Sequence, residues 1–143
     1  MVEPNKVADV MGGTPILGCE ISSVEDLARA VLCGLPKLAL RVTVKRASNG
    51  AKETSQLIYD IVPEATYKRR IRLTPAESER TERLARVIAT AEFVWDDQDA
   101  AHRWLHAAHP ELSGRTPLQC AMSELGARQV EELLDKIFYG LAA

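Results

Sequence analysis

The stretch Thr74-Pro75-Ala76-Glu77 constrains this chain more than any other. Thr74 is suited to cap a helix, Pro75 to occupy its first position, and Glu77 to reach back as the capping-box acid. Neither glycine nor proline interrupts the run from Ala76 to Trp95. Leu84, Val87, Ile88, Ala91 and Val94 or Trp95 recur at helical spacing, while Arg80, Glu82, Arg83, Arg86 and Glu92 decorate the rest. A helix of this length is a rod of about 30 Å. A chain of 143 residues has to bury such a rod against other helices.

Those helices are legible on both sides. Upstream, Ser22 or Ser23 caps a helix with Glu25 and Asp26 in its first turn, and Val24, Leu27, Ala28, Val31 and Leu32 supply its apolar face. Gly34-Leu35-Pro36 ends it. Leu38, Leu40, Val42 and Val44 alternate like a strand, yet no partner strand exists elsewhere, so Leu38 to Ala47 is assigned as helix. After the turn Ser48-Asn49-Gly50, Lys52 to Val62 reads as a helix with Leu57, Ile58 and Ile61 inward. Pro63 opens a second short helix. Downstream, Gln98 to Ala108 turns Ala101, Trp104 and Leu105 inward, and Pro110 to Gly114 is a loop. Thr116 caps and Pro117 begins the next helix, and Gly126 is expected to break the pattern between two helices. Val130, Leu133, Leu134, Ile137 and Phe138 then paint one face, expected to be mainly core, before Tyr139-Gly140 ends the element. Met1 to Gly18, with paired glycines and little periodicity, is expected to be a loose arm.

Net charge is −2, but it is segregated. Residues 37–72 hold 9 basic and 3 acidic residues, whereas residues 73–143 hold 7 basic and 12 acidic. Only the middle of the chain can face a polyanion. Two short helices meeting at Val62-Pro63, the second ending in Thr66-Tyr67-Lys68-Arg69-Arg70, have the shape of a helix-turn-helix. Arginine and lysine reach phosphates and guanine edges, and Thr66 or Tyr67 can bond the backbone. The competing reading is a solvated charge run.

Other chemistry is absent from the pattern. There is no nucleophile elbow, no phosphate-binding glycine loop and no ordered Cys–His signature, so an enzyme is not expected and no cofactor is implied. Glu131 and Glu132 are adjacent and point roughly 100° apart on a helix. His102 and His106 share a helical face, with His109 nearby, but no glutamate of a zinc motif stands between them. Polar surface histidines are the favoured reading, and a helical metal- or ligand-binding protein stays as an alternative. Cys19, Cys33 and Cys120 form no metal or disulfide framework. With no signal pattern and no apolar run of about 20 residues, a cytoplasmic protein is expected.

The ordered set Ala101, Trp104-Leu105, Gly114, Thr116-Pro117-Leu118, Gly126, Val130, Leu134, Ile137 and Gly140 resembles the toxin-binding domain of the MbcA/ParS/Xre antitoxins. Thr66 to Arg70, Leu73-Thr74, Glu77-Ser78-Glu79-Arg80, Leu84-Ala85-Arg86-Val87 and Ala91 extend the likeness, which covers roughly residues 22–143. Val42, Thr43 and Val44 depart from it. The resemblance implies an all-α protein: an Xre-type helix-turn-helix domain followed by a small helical toxin-binding domain. On that layout residues 1–20 are the arm, 21–73 the DNA-binding and dimerisation region, 74–95 the connecting helix and 96–143 the toxin-binding domain. It also implies a type II antitoxin that occludes the active site of a RES-domain, NAD-degrading toxin. With that toxin it would bind its own operator DNA, as a homodimer within a larger complex. Thr66, Tyr67, Lys68, Arg69 and Arg70 would contact DNA. Gly114, Arg115, Thr116, Arg128, Phe138, Tyr139, Gly140 and Leu141 would contact the toxin. A stand-alone helix-turn-helix regulator is the alternative.

Overall fold

The structure, a computed structural model, describes residues 2–140. Its centre is the rod expected from the sequence, α7, Pro75–Trp95. Thr74 Oγ1 accepts from the Glu77 N–H at 3.2 Å, and the Glu77 carboxylate accepts from the Thr74 N–H at 2.9 Å. Leu84, Val87, Ile88 and Ala91 are buried, and so are Ser78, Thr81 and Ala85, because helices surround the rod.

The first half of the chain forms six helices: α1 (Pro4–Val10), α2 (Gly13–Leu17), α3 (Val24–Cys33), α4 (Lys37–Ala47), α5 (Ala51–Ile61) and α6 (Glu64–Arg69), of which α1, α3, α4 and α5 pack on α7, α2 packs on α1 and α4, and α6 packs on α5. The expected loose arm is therefore corrected. Val7, Val10 and Met11 of the first segment are buried, and α1 packs on α7, α3 and α4. Gly12 and Gly13 are a left-handed corner, with φ of +105° and +68°, and not a flexible spacer. A seven-residue helix carries too few turns to display a period.

Residues 38–47 are helical, as assigned. Ala39, Leu40, Thr43, Val44 and Ala47 go inside, a helical and not an alternating set. Thr43 satisfies its buried hydroxyl by donating to the Ala39 carbonyl at 2.7 Å. The α3–α4 junction is stitched to the α6–α7 junction. The Leu73 N–H donates to Leu35 O at 2.8 Å, the Leu35 N–H donates to Ser78 Oγ at 2.9 Å, and Arg72 donates to Gly34 O at 2.7 Å. On α3, Leu27 and Val31 point inward, but Val24 and Leu32 of the same expected face do not.

The second half covers the rest of the rod: α8 (Gln98–Leu105), a 3-10 turn (Pro110–Leu112), α9 (Pro117–Cys120) and α10 (Glu124–Phe138). Thr116 and Gln119 complete a second capping box around Pro117. Gly126 does not separate two helices. It lies in the first turn of α10, where a Cβ would stand 2.1 Å from the Cys120 carbonyl oxygen. Val130, Leu133 and Leu134 join the core, Ile137 packs against it, and Phe138 stays half exposed.

Ion pairs bind the halves to the rod. Arg46 of α4 holds Glu92 through two bonds of 2.8 and 2.6 Å. Arg86 bridges Glu82 on its own helix and Glu131 of α10 at 2.8 and 3.2 Å. Burial raises the Glu82 carboxyl above its ordinary range in spite of that arginine.

Candidate functional site

The positive face is built by α4, α5 and α6. Only two residues, Val62 and Pro63, separate α5 from α6, the short connection that a helix-turn-helix uses. Lys68 and Arg69 are exposed at the end of α6, and Thr66 is half-buried beside them. Lys68 is tethered by Glu64 at 3.2 Å, an exposed pair that costs little to break. Tyr67 is different. It is 8% exposed, its ring meets the edge of Tyr59 at 6.2 Å, and the Lys37 ammonium lies 5.0 Å over its face. Arg70 pairs with the capping-box carboxylate of Glu77. Tyr67 and Arg70 thus also seat α6 against α4 and α7.

Three cations on this face were not singled out from the sequence. Arg41 and Lys45 of α4, one turn apart, and Lys52 at the start of α5 are exposed. Among the described residues none of the three has an ion-pair partner. A shallow groove of about 360 Å³ runs beside them, lined by Arg41, Lys45, Ser48, Gly50 and Thr54 without any carboxylate. The i, i+4 spacing of Arg41 and Lys45 just before the Ser48-Asn49-Gly50 turn was the available sign.

Exposed aromatics gather where the end of α10 meets α7. Phe138, 45% exposed, lies between Phe93 of α7 at 5.3 Å and Tyr139 at 5.1 Å. Tyr139 is 67% exposed, and Gly140 follows at φ +68°, the left-handed conformation expected for a helix end. Phe93 is the member of this cluster that the sequence did not single out. Leu141, expected to act with these residues, lies outside the described residues.

A second patch stands about 15 Å back along α10, from the rise of ten helical residues. Gly114, at φ +79° with open space where a side chain would be, closes a tight loop whose N–H donates to His109 O at 3.0 Å. Arg115 donates to Leu112 O at 3.3 Å and reaches toward Gln129, the neighbour of Arg128. Arg128 is exposed beside Glu124 at 3.5 Å. Thr116 is spent on its capping box.

Two of the histidines form a seam between α8 and the start of α5. His102 Nε2 lies 2.6 Å from Asn49 Oδ1, and His106 Nε2 lies 2.9 Å from Glu53 Oε1, so α8 is tied to the α4–α5 turn. His106 Nδ1 faces the His102 carbonyl at 2.9 Å. Both ring nitrogens of His106 thus lie within hydrogen-bond distance of an oxygen. Among the described residues no group of three His, Cys, Asp or Glu side chains is placed to hold a metal ion. Cys19 and Cys33 are exposed and Cys120 is buried, all as free thiols. No helix among the described residues is long and apolar enough to cross a membrane.

Comparison with known proteins matches this division. Residues 26–86 match the antitoxin Xre-like helix-turn-helix domain, and residues 90–140 match the antitoxin Xre/MbcA/ParS C-terminal toxin-binding domain. The chain is similar to a protein named Antitoxin Xre from Pseudomonas putida (strain KT2440), with 40% identity over 84 residues. That alignment covers 56% of this chain and 53% of the relative, so the chain spans about half the length of the curated protein it matches.

Proposed function

The chain belongs to the Xre/MbcA/ParS antitoxin family, and from that premise we propose that it neutralises a RES-domain, NAD-degrading toxin by covering its active site and, together with that toxin, represses its own operon as a homodimer. It is a regulatory protein and not an enzyme. The observation that carries the reading is the exposed aromatic end of α10, Phe138-Tyr139-Gly140, in a unit that matches a toxin-binding domain. Exposed aromatics at a helix end are the residue types that anchor protein interfaces. The second patch, Gly114, Arg115 and Arg128, would give that anchor its orientation. Thr116 contributes by fixing the loop.

The helix-turn-helix face would bind operator DNA through Lys68, Arg69 and Thr66, with Arg41, Lys45 and Lys52 on phosphates. Tyr67 and Arg70 support it from beneath. The acidic second half, repelled by DNA, is left free for a partner.

Co-expression with the adjacent gene product tests the reading. Wild type and the Lys68→Ala/Arg69→Ala variant should both co-purify with the toxin and silence its NAD consumption. Only the variant should lose operator affinity, and its salt slope should fall by about 1 per phosphate contact removed. Phe138→Ala/Tyr139→Ala should release NAD consumption and keep DNA binding. A double aromatic variant that still silences the toxin at equal concentration sinks the occlusion model. Operator binding without any captured toxin moves the assignment to a stand-alone regulator.

A further inference from the structure

The apolar face of α3 is wider than the core uses. Leu27 and Val31 are buried, but Val24 is 71% exposed and Leu32 70% exposed, and Ala28 is exposed between them. These three residues follow one another at four-residue intervals, so they form a single outward line on the helix. The line borders a groove of about 440 Å³ that continues to Val2 and Pro4 of the first segment. A soluble protein rarely leaves a continuous apolar line in water without a partner for it.

We propose that this face of α3 is where two copies of the chain meet, packed antiparallel about a two-fold axis at Ala28. The inference rests on the operator-binding dimer proposed above and names its surface. Three features of the helix favour a second copy over another occupant. Val24 and Leu32 are equidistant from Ala28, so the two-fold places Val24 of one copy on Leu32 of the other. Ala28 itself is small, which lets the two helices approach at the crossing point. Glu25 and Arg29 lie on one flank and pair within the helix at 3.6 Å. The antiparallel arrangement sets Glu25 against Arg29 of the copy and gives each the opposite charge it already seeks. The far rim, Glu79, Glu82 and Arg86, also mixes signs. A surface that is self-complementary in shape and charge is what an isologous interface requires.

Sedimentation equilibrium of the full chain is the first test, with and without Leu32→Glu and Val24→Glu. Both positions are exposed, so helical content by circular dichroism should be unchanged. Wild type should sediment as a dimer, and each variant should raise the dimer dissociation constant at least about 100-fold, since each interface then buries two unpaired carboxylates. The second test is a crosslink. In a chain carrying Cys19→Ser and Cys33→Ser, the substitution Ala28→Cys should yield a disulfide-linked dimer when oxidised glutathione is added. A monomeric wild type, or a dimer indifferent to both glutamates and uncrosslinked at Ala28→Cys, overturns the proposal. Toxin capture, run on the same samples, separates the two readings. A dimer that depends on Leu32 but captures no toxin fails the antitoxin assignment alone. Capture by a chain whose dimer ignores Leu32→Glu fails this inference alone.

Discussion

Replacing Gly126 by alanine should destabilise the protein, although the same change in most helices does the reverse. In an ordinary helix interior, alanine is better than glycine by about 1 kcal/mol. Here the added methyl would stand 2.1 Å from the Cys120 carbonyl oxygen, 2.7 Å from Ser123 Oγ and 2.9 Å from the Cys120 carbonyl carbon. Two of these three atoms are backbone, in the turn that carries α9 into α10, so no rotamer change relieves the clash. Overpacking of a tight site costs about 1–3 kcal/mol, and so severe a contact belongs at the upper end. After the gain in helix propensity is subtracted, a net loss of about 2 kcal/mol remains. For a domain of this size that is a fall of roughly 6–10 °C in melting temperature. Thermal unfolding followed at 222 nm reads it, with Gly140→Ala as a comparison. Gly140 has nothing within 4 Å but a φ of +68°, so its cost is backbone strain alone, about 1 kcal/mol. If Gly126→Ala melts at or above wild type, the close approach of α9 to α10 is not what holds this turn.

Two other outcomes test the supporting residues. Arg70→Ala should lower stability by about 1–3 kcal/mol because it leaves the nearly buried Glu77 carboxylate unpaired at the head of α7, whereas Lys68→Ala should change melting very little. A chemical-denaturation series on the two variants checks the ranking. Burial pushes the Glu53 carboxyl up, but the bonds from His106 and the Asn49 N–H outweigh it and hold the group below its ordinary value of 4.5. A depressed carboxylate contributes stability above its unfolded value, and that contribution is lost as pH falls through the native value. The gap in melting temperature between wild type and Glu53→Gln should therefore close between about pH 5 and about pH 3. A gap that stays constant across that range would show that Glu53 contributes nothing as an anion.

The parts legible in the sequence are those fixed by neighbouring residues. The capping boxes at Thr74 and Thr116 involve residues three apart, and the stripe of α7 repeats over about three turns, so local chemistry identified both. Helix at 38–47 followed from the lack of a partner strand, and burial of Thr43 and Val44 agrees with it. What escaped depends on contacts distant in sequence. Val7, Val10 and Met11 make a stripe only once α7 is there to receive it. Gly126 reads equally as a break or as a close approach until Cys120 is placed beside it. Composition makes Tyr67 and Arg70 resemble Lys68 and Arg69, and only Tyr59, Lys37 and Glu77 separate the two that are packed or paired against other helices from the two that stay exposed. Val24 and Leu32 count as core by spacing because a sequence cannot tell a helix face that one core uses from a face shared with a second surface.

The first matched segment, 26–86, ends and the second, 90–140, begins inside α7, which runs unbroken from Pro75 to Trp95. No glycine or proline lies within Ala76 to Trp95, so the rod has none of the usual causes of a kink. Side-chain contacts also cross from one segment to the other. Arg46 of α4 grips Glu92, and the Asn49–His102 and Glu53–His106 bonds fasten α8 to the start of the first helix of the helix-turn-helix. An independent toxin-binding unit on a flexible linker would leave Arg46 and Glu53 without these partners. The orientation of α6 relative to the Phe138-Tyr139 end is therefore set by the fold itself. In the proposed complex, a toxin seated on α10 cannot swing freely about the DNA-bound unit. Its position relative to the operator then follows from α7 together with the contacts that cross between the two segments.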